Sequence, residues 1–237
     1  MKPLVYAICS SAALSWLGVT EAQPTNGLVA HYTFEEGSGS VVGDKSGNKN
    51  DGKIHGTNEF VKVGSSFALK FDGKTVYIDC GASKSLNIES AGTVACWFNP
   101  DTELQGGLVT RSTSGSWPDE RLVLSLRTPN GMLVWALGNG KESQFRQYPD
   151  TKASTWTHVA LTFDGTNVIF YRDGQRLWAE AQGLSPAFKD VPLIIGRSQG
   201  LGEEYFKGMI TDVRIYNRAL SAQEIIDSYE ATKKAFR

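Results

Sequence analysis

The chain has 237 residues, with 24 Lys and Arg against 25 Asp and Glu, a formal net charge of −1. Near-neutrality excludes a nucleic-acid binder that works through a strongly basic surface, because phosphate affinity needs clustered cations. Hydrophobic residues at 41% and charged residues at 21% exclude a disordered chain, and the length suits one all-β domain.

Residues 1–23 read MKPLVYAICSSAALSWLGVTEAQ. Lys2 is a minimal positive start, an apolar stretch runs from 4 to 19, and Ala22 offers a small residue before a cut. Residues 1–22 are therefore read as an export signal, with Gln23 as the mature start. A lipoprotein reading of Cys9 lacks the usual Leu-small-small approach, since Tyr6-Ala7-Ile8 precedes it. The stretch is too short and serine-rich for a good membrane span, and the mature chain is expected to have no transmembrane segment. The expected location is secreted, periplasmic or at the cell surface.

From Asn26 the text becomes short β runs with turn punctuation. LVAHYTFE (28–35) alternates, with Ala30, Tyr32 and Phe34 on one face. Runs at 68–71 and 76–80 flank Asp72-Gly73, and runs at 93–98, 107–111, 121–127 and 132–137 follow, the last two around Pro129-Asn130-Gly131. Runs at 156–163 and 168–172 join through Asp164-Gly165, Asp173-Gly174 turns the chain into 176–179, and 193–195 and 206–216 complete the set. Asp-Gly and Asn-Gly between alternating runs are strong hairpin signals, since type I′ turns need positive φ. Strands with no helix between them predict an all-β fold, an antiparallel two-sheet jelly-roll sandwich, as a single domain over 23–237.

One short helix is predicted at the end. Ser221 and Glu224 form a capping box, and Ile225, Ile226 and Tyr229 make one apolar stripe. Such a helix must dock on the sandwich to persist. The tail TKKAFR is expected to fray.

Two features leave alternatives open. In an oxidising compartment Cys80 and Cys96 could pair across neighbouring strands, or they are two small buried hydrophobes. The loop from Asp44 through Asn48 and Asn50 to Gly52 gathers carboxylate, hydroxyl and amide oxygens with glycines, as Ca²⁺ requires. The same residues also suit an Asx-turn loop that bonds its own backbone.

Longer stretches carry a resemblance. GLVAHYTFEEGSGSVVGDKSGNKNDGKIHG, FDGKTVYIDCGASKSLNIESAGTVACWFNP, TWTHVALTFDGTNVIFYRDGQRL, PLIIGRS and FKGMITDVRIYNRALSAQEI, in that order, resemble the bacterial laminin-G-like, concanavalin A-like lectin/glucanase jelly rolls over about Gly27 to Tyr229. The resemblance implies two curved antiparallel sheets, with a concave face and its loops as the ligand area. It also implies a structural calcium shared by the Asp44 loop and the acid of the terminal GxIDxVRIY-like strand, here Asp212. Thr211 stands where many relatives carry a second acid. Members of the superfamily include glycan-binding modules, adhesion domains, hydrolases and lyases, so fold alone does not fix function.

Catalytic patterns are sparse. Glucanases of this fold place acids as Glu-x-Asp-x-x-Glu on one strand, and no Glu here is followed two residues later by Asp. His55 in KIHG only superficially resembles a lyase motif, and His31 and His158 (TWTHVALTF) stand at packing positions of the family.

Binding is better supported, because sugars stack apolar C–H faces on rings and pair hydroxyls with planar polar groups. Trp97 and Trp156 are read as core. Trp117 lies in the polar turn TSGSWPD, flanked by Arg111 and Arg121, with Trp135 and Asn139 on the next hairpin. Arg197 and Tyr205 border the loop at Gly200–Gly202 as another rim. The bland reading of each polar residue is a solvated side chain. The first expectation is thus an exported module that binds polysaccharide or glycoprotein glycan, with one calcium. A secreted hydrolase or lyase is the second reading, and an adhesion or assembly domain with a protein partner the third.

Overall fold

The computed structural model describes residues 23–102, 106–112, 132–139, 143–148, 152–181, 186, 191–198 and 204–236, and the backbone of 120–127. In chain order the strands are β1 (Leu28–Tyr32), β2 (Val41–Val42), β3 (Gly52–His55), β4 (Glu59–Val63), β5 (Ser66–Asp72), β6 (Tyr77–Asp79), β7 (Gly92–Pro100), β8 (Gly106–Ser112) and β9 (Glu120–Arg127). There follow β10 (Met132–Gly138), β11 (Ser143–Tyr148), β12 (Thr157–Phe163), β13 (Asn167–Arg172), β14 (Gln175–Ala181), β15 (Ile194–Ile195), β16 (Arg197–Ser198), β17 (Glu204–Tyr205), β18 (Lys207–Tyr216) and the helix α1 (Ala222–Thr232).

Two antiparallel sheets make the sandwich. The first runs β14-β13-β12-β7-β18-β5-β4, with β1 also on β18; the second runs β11-β10-β9-β8-β15-β6-β3-β2. Strand alternation fills the space between them. Val94, Cys96 and Phe98 of β7 and Val159, Leu161 and Phe163 of β12 face Ile54, Ile78, Val109, Leu133, Trp135, Leu137 and Ile195 from the second sheet. The expected strands are all present. The short pieces β2, β3, β4, β11, β16 and β17 carry too few alternating residues to stand out in the text.

The intervening residues of β7 point the other way, and the C-terminal helix covers them. Trp97 stacks on Tyr229 at 5.6 Å and donates its indole N–H to Thr232 at 2.9 Å. The predicted capping box is formed, Ser221 accepting from the Glu224 N–H. The tail does not fray as expected. Lys233–Ala235 adds a 3-10 turn, and Phe236 packs at 4.8 Å from Trp97 and 5.1 Å from Trp156. Burying a phenyl ring stabilises by about 2 kcal/mol, enough to hold a few terminal residues.

The last strand, β18, joins three neighbours: β5 along its first half, β1 along its second, and β7 along both. A bulge between Thr211 and Arg214 lets it change partner, and Asp212 adopts φ 46° there. An Asp tolerates this left-handed conformation better than a branched residue does.

Candidate functional site

The β16–β17 hairpin leaves the second sheet through two glycines that no other residue could replace without a shift. At Gly196, with φ 84°, a Cβ would lie 2.0 Å from the Phe71 ring; at Gly107, a Cβ would lie 2.6 Å from the Arg197 carbonyl. The Thr110 hydroxyl donates to the same Arg197 oxygen at 2.7 Å. The hairpin is therefore pressed directly onto β8.

This seats Arg197 over β6. Ile78 and Ile54 face the core, so alternation turns Tyr77 and His55 to the outer face of the second sheet. The Arg197 guanidinium lies 3.8 Å from the Tyr77 ring centroid and 5.7 Å from that of Tyr205, its cross-strand partner. Tyr205 meets Tyr77 edge-on at 6.2 Å, and His55 stacks parallel to Tyr77 at 4.4 Å. Arg197 is buried, while His55, Tyr77 and Tyr205 are half-buried. Cation–π contact with Tyr77 holds the guanidinium against the outer face of β6. Lys53 and Asp79, paired across β3 and β6, continue the polar row on that face. The structure thus brings together the expected Arg197 and Tyr205 with Tyr77 and His55. Their only sequence signal is alternation within the 76–80 run and KIHG, since their meeting depends on the His55–Tyr77 register.

The other expected binding residues lie elsewhere. Arg111 is not a ligand contact but a buried strut, donating to Val191 O at 2.9 Å, Leu86 O at 2.6 Å and Asn87 Oδ1 at 3.2 Å. Trp135 is not on an outer face: it is fully buried in the core between the sheets, because Val134 and Ala136 take the opposite side of β10. Asn139 sits half-buried just past β10. Arg121 lies on β9, whose side chains are outside the description, and Trp117 falls outside the described residues.

The Asp44 loop bonds its own backbone. Asp44 Oδ1 accepts from the N–H groups of His31 at 2.9 Å and Ser46 at 2.8 Å; Oδ2 accepts from the Ser46 hydroxyl at 2.8 Å and the Asn50 N–H at 3.0 Å. Asn48 donates to Leu28 O, and Asn50 donates to Val29 O while accepting from Ser85. Asp212 instead joins His31 Nε2 at 2.8 Å and Arg214 Nε at 2.9 Å. Burial disfavours its charge, but Arg214 and His31 outweigh this and hold the carboxyl well below the usual range. Asp44 and Asp212 thus engage opposite ends of His31, Asp44 through its backbone N–H and Asp212 through its ring Nε2. Among the described residues no group of three or more His, Cys, Asp or Glu could hold a metal.

Cys80 and Cys96 are buried and unbonded. Cys96 belongs to β7 of the first sheet and Cys80 follows β6 of the second, so they are not neighbours across a ladder. Burial pushes the Cys80 thiol up to about 12.

Residues 72–226 match the family model Laminin_G_3, described as the concanavalin A-like lectin/glucanases superfamily. The chain belongs to this superfamily. No curated protein matches it. Among solved structures, the binding domain of Paraclostridial Mosquitocidal Protein 1 is similar, with TM-score 0.71 and 18% identity over 86% of this chain and 52% of that one. The chain spans about half the length of that structure. The binding domain of botulinum neurotoxin DC, solved in complex with SialylT, aligns with TM-score 0.69 and 12% identity over 87% of this chain and 52% of that one. Domain 4 of AbnA, an extracellular arabinanase from Geobacillus stearothermophilus in complex with arabinotriose, aligns with TM-score 0.65 and 21% identity. That alignment covers 85% of this chain and 98% of the domain. The superfamily fold is common to all three, and at these identities the likeness concerns the fold alone.

Proposed function

We propose that this laminin-G-like chain is a glycan-binding module that reads saccharide through the Arg197 hairpin. The observation that carries the reading is a guanidinium lying against the Tyr77 ring and near that of Tyr205, with His55 stacked on Tyr77, on the outer face of the second sheet. The half-buried rings of Tyr77, Tyr205 and His55 offer faces for sugar C–H groups, beside a cationic guanidinium of the kind that pairs with hydroxyl and acidic oxygens. The arabinotriose complex of the arabinanase domain supports the ligand class. A protein partner is less favoured. The large exposed apolar residues among those described, Val41, Phe145 and Ile226, sit apart on β2, β11 and α1 and make no shared patch.

Export, read from residues 1–22, belongs to the same proposal and is checked by N-terminal sequencing of protein recovered outside the cytoplasm. The Asp44 loop is proposed to hold itself through its own hydrogen bonds, without calcium. The functional test is retention on affinity gels of arabinan, xylan, β-glucan and a sialylated glycoprotein. Wild-type chain is expected to be retained on at least one gel, and Tyr205→Ala to weaken that retention about tenfold, near 1.4 kcal/mol, with an unchanged melting temperature. Equal retention of the variant would remove the hairpin from the binding surface.

A further inference from the structure

The helix α1 and the turn after it lie over the outer face of the first sheet, opposite the side of the molecule that carries the Arg197 hairpin. In the layer between helix and sheet, His158 Nδ1 and the Ser228 hydroxyl are buried without a hydrogen-bond partner. Native proteins leave few such atoms, and here one belongs to the strand and the other to the helix that covers it.

His158 stands within that layer. Trp97, its cross-strand partner on β7, is 5.3 Å away, and the Tyr229 ring of α1 is 5.9 Å away. A neutral imidazole fits there, but an imidazolium has two N–H groups to satisfy, and Nδ1 has no acceptor. The neighbouring charges are already engaged. Asp212 is held by His31 and Arg214, and Asp173 accepts the backbone N–H of His158 itself at 3.1 Å. Arg214 opposes a second cation. The other elements packed there bring the phenols of Tyr171, Tyr216 and Tyr229, and Lys233, which lies 5.5 Å over the Tyr229 ring and pairs with Glu230.

No sheet ladder holds α1 in place. Ile225 and Leu220 pack on Ala95, Ala160, Tyr171 and Tyr216, while Tyr229 and Phe236 pack on Trp97. The polar ties are side-chain ones: the Trp97 indole N–H to Thr232, the Gln23 amide to Ser228 O, and Arg218 to Glu224. The helix can therefore lift without parting any pair of strands.

We propose that protonation of His158 releases α1 and its tail from the sandwich, baring the aromatic layer at Trp97 while both sheets stay paired. Desolvation brings the docked ring down to about 4, with Asp212 and Arg214 acting in opposite and smaller measure. Once the helix lifts, the ring meets water and recovers its ordinary proton affinity. The lifted state thus binds a proton that the docked state refuses, so falling pH favours lifting, by up to about tenfold per pH unit between those values. This switch is independent of the glycan reading.

The test is hydrogen exchange of the full chain at pH 6.5 and pH 4.5, followed peptide by peptide and corrected for the intrinsic pH dependence. Peptides over 222–236 are expected to lose protection by about thirtyfold and to stay less protected than β7 and β12 at both pH values. His158→Leu should abolish most of that loss. His31→Gln, which removes the other imidazole beside Asp212, should preserve it. Helix and strands that exchange with equal protection would overturn the proposal, because α1 would then open only with the whole fold; this comparison needs the wild-type chain alone. Helix protection that does not change with pH, or a loss that persists in His158→Leu, would overturn it as well.

Discussion

At the scale of single residues, burial decides what each polar side chain does. His158 shows it most clearly. It stands in the packed layer under the helix, its rings near Trp97 and Tyr229 at 5.3 and 5.9 Å, and its Nδ1 has no hydrogen-bond partner. Desolvation lowers its pKa from 6.5 to about 4, with Asp212 and Arg214 pulling in opposite and smaller measure. The unfolded chain therefore binds a proton between those values that the folded chain refuses, and stability falls as pH drops through that window. The loss is about 3 kcal/mol, from a little over two pKa units at 1.36 kcal/mol each. Urea unfolding at pH 7 and pH 4 should show it, and His158→Leu should remove most of the difference; an equal acid loss in that variant would place the effect elsewhere. The text TWTHVALTF already placed His158 in packing. It could not show that Trp135 faces inward, because its neighbours on β10 are apolar on both sides.

Among the elements, the helix was the most legible. Ser221-Ala222-Gln223-Glu224 is a local pattern, and local hydrogen bonds depend on no distant partner. Arg218, through its hydrogen bonds, lowers the Glu224 carboxyl to about 2, so the capping box stays charged through the physiological range. Ser221→Ala is expected to cost about 1 kcal/mol in urea unfolding; no change would mean that packing alone holds the helix. The tail was misread for the opposite reason. TKKAFR has neither cap nor periodicity, and the rings of Trp97 and Trp156, both distant in sequence, help give Phe236 its place. The β18 bulge belongs with it: GMITDVRIY alternates well as text, and only pairing with β5, β7 and β1 together shows that Asp212 breaks the register.

For the whole molecule, the hydrogen bonds that hold the Asp44 loop, together with the His31–Asp212–Arg214 pairing, predict a metal-independent fold. Exhaustive chelation should leave the melting temperature unchanged, whereas a fall that added calcium reverses would show an ion bound to the native state. Turn pairs and alternation in the sequence determined an antiparallel sandwich with a capped helix behind it. Those signals act over a few residues and follow from backbone sterics and the two-residue period of a strand. Tertiary structure alone decided that Trp135 is core while Tyr77 and Tyr205 are walls, that Arg111 is a strut while Arg197 lies on rings, and that Cys80 and Cys96 stand apart. Each of those depends on which strand neighbours which, and sheet order is set by the packing of two apolar faces rather than by any local residue pattern.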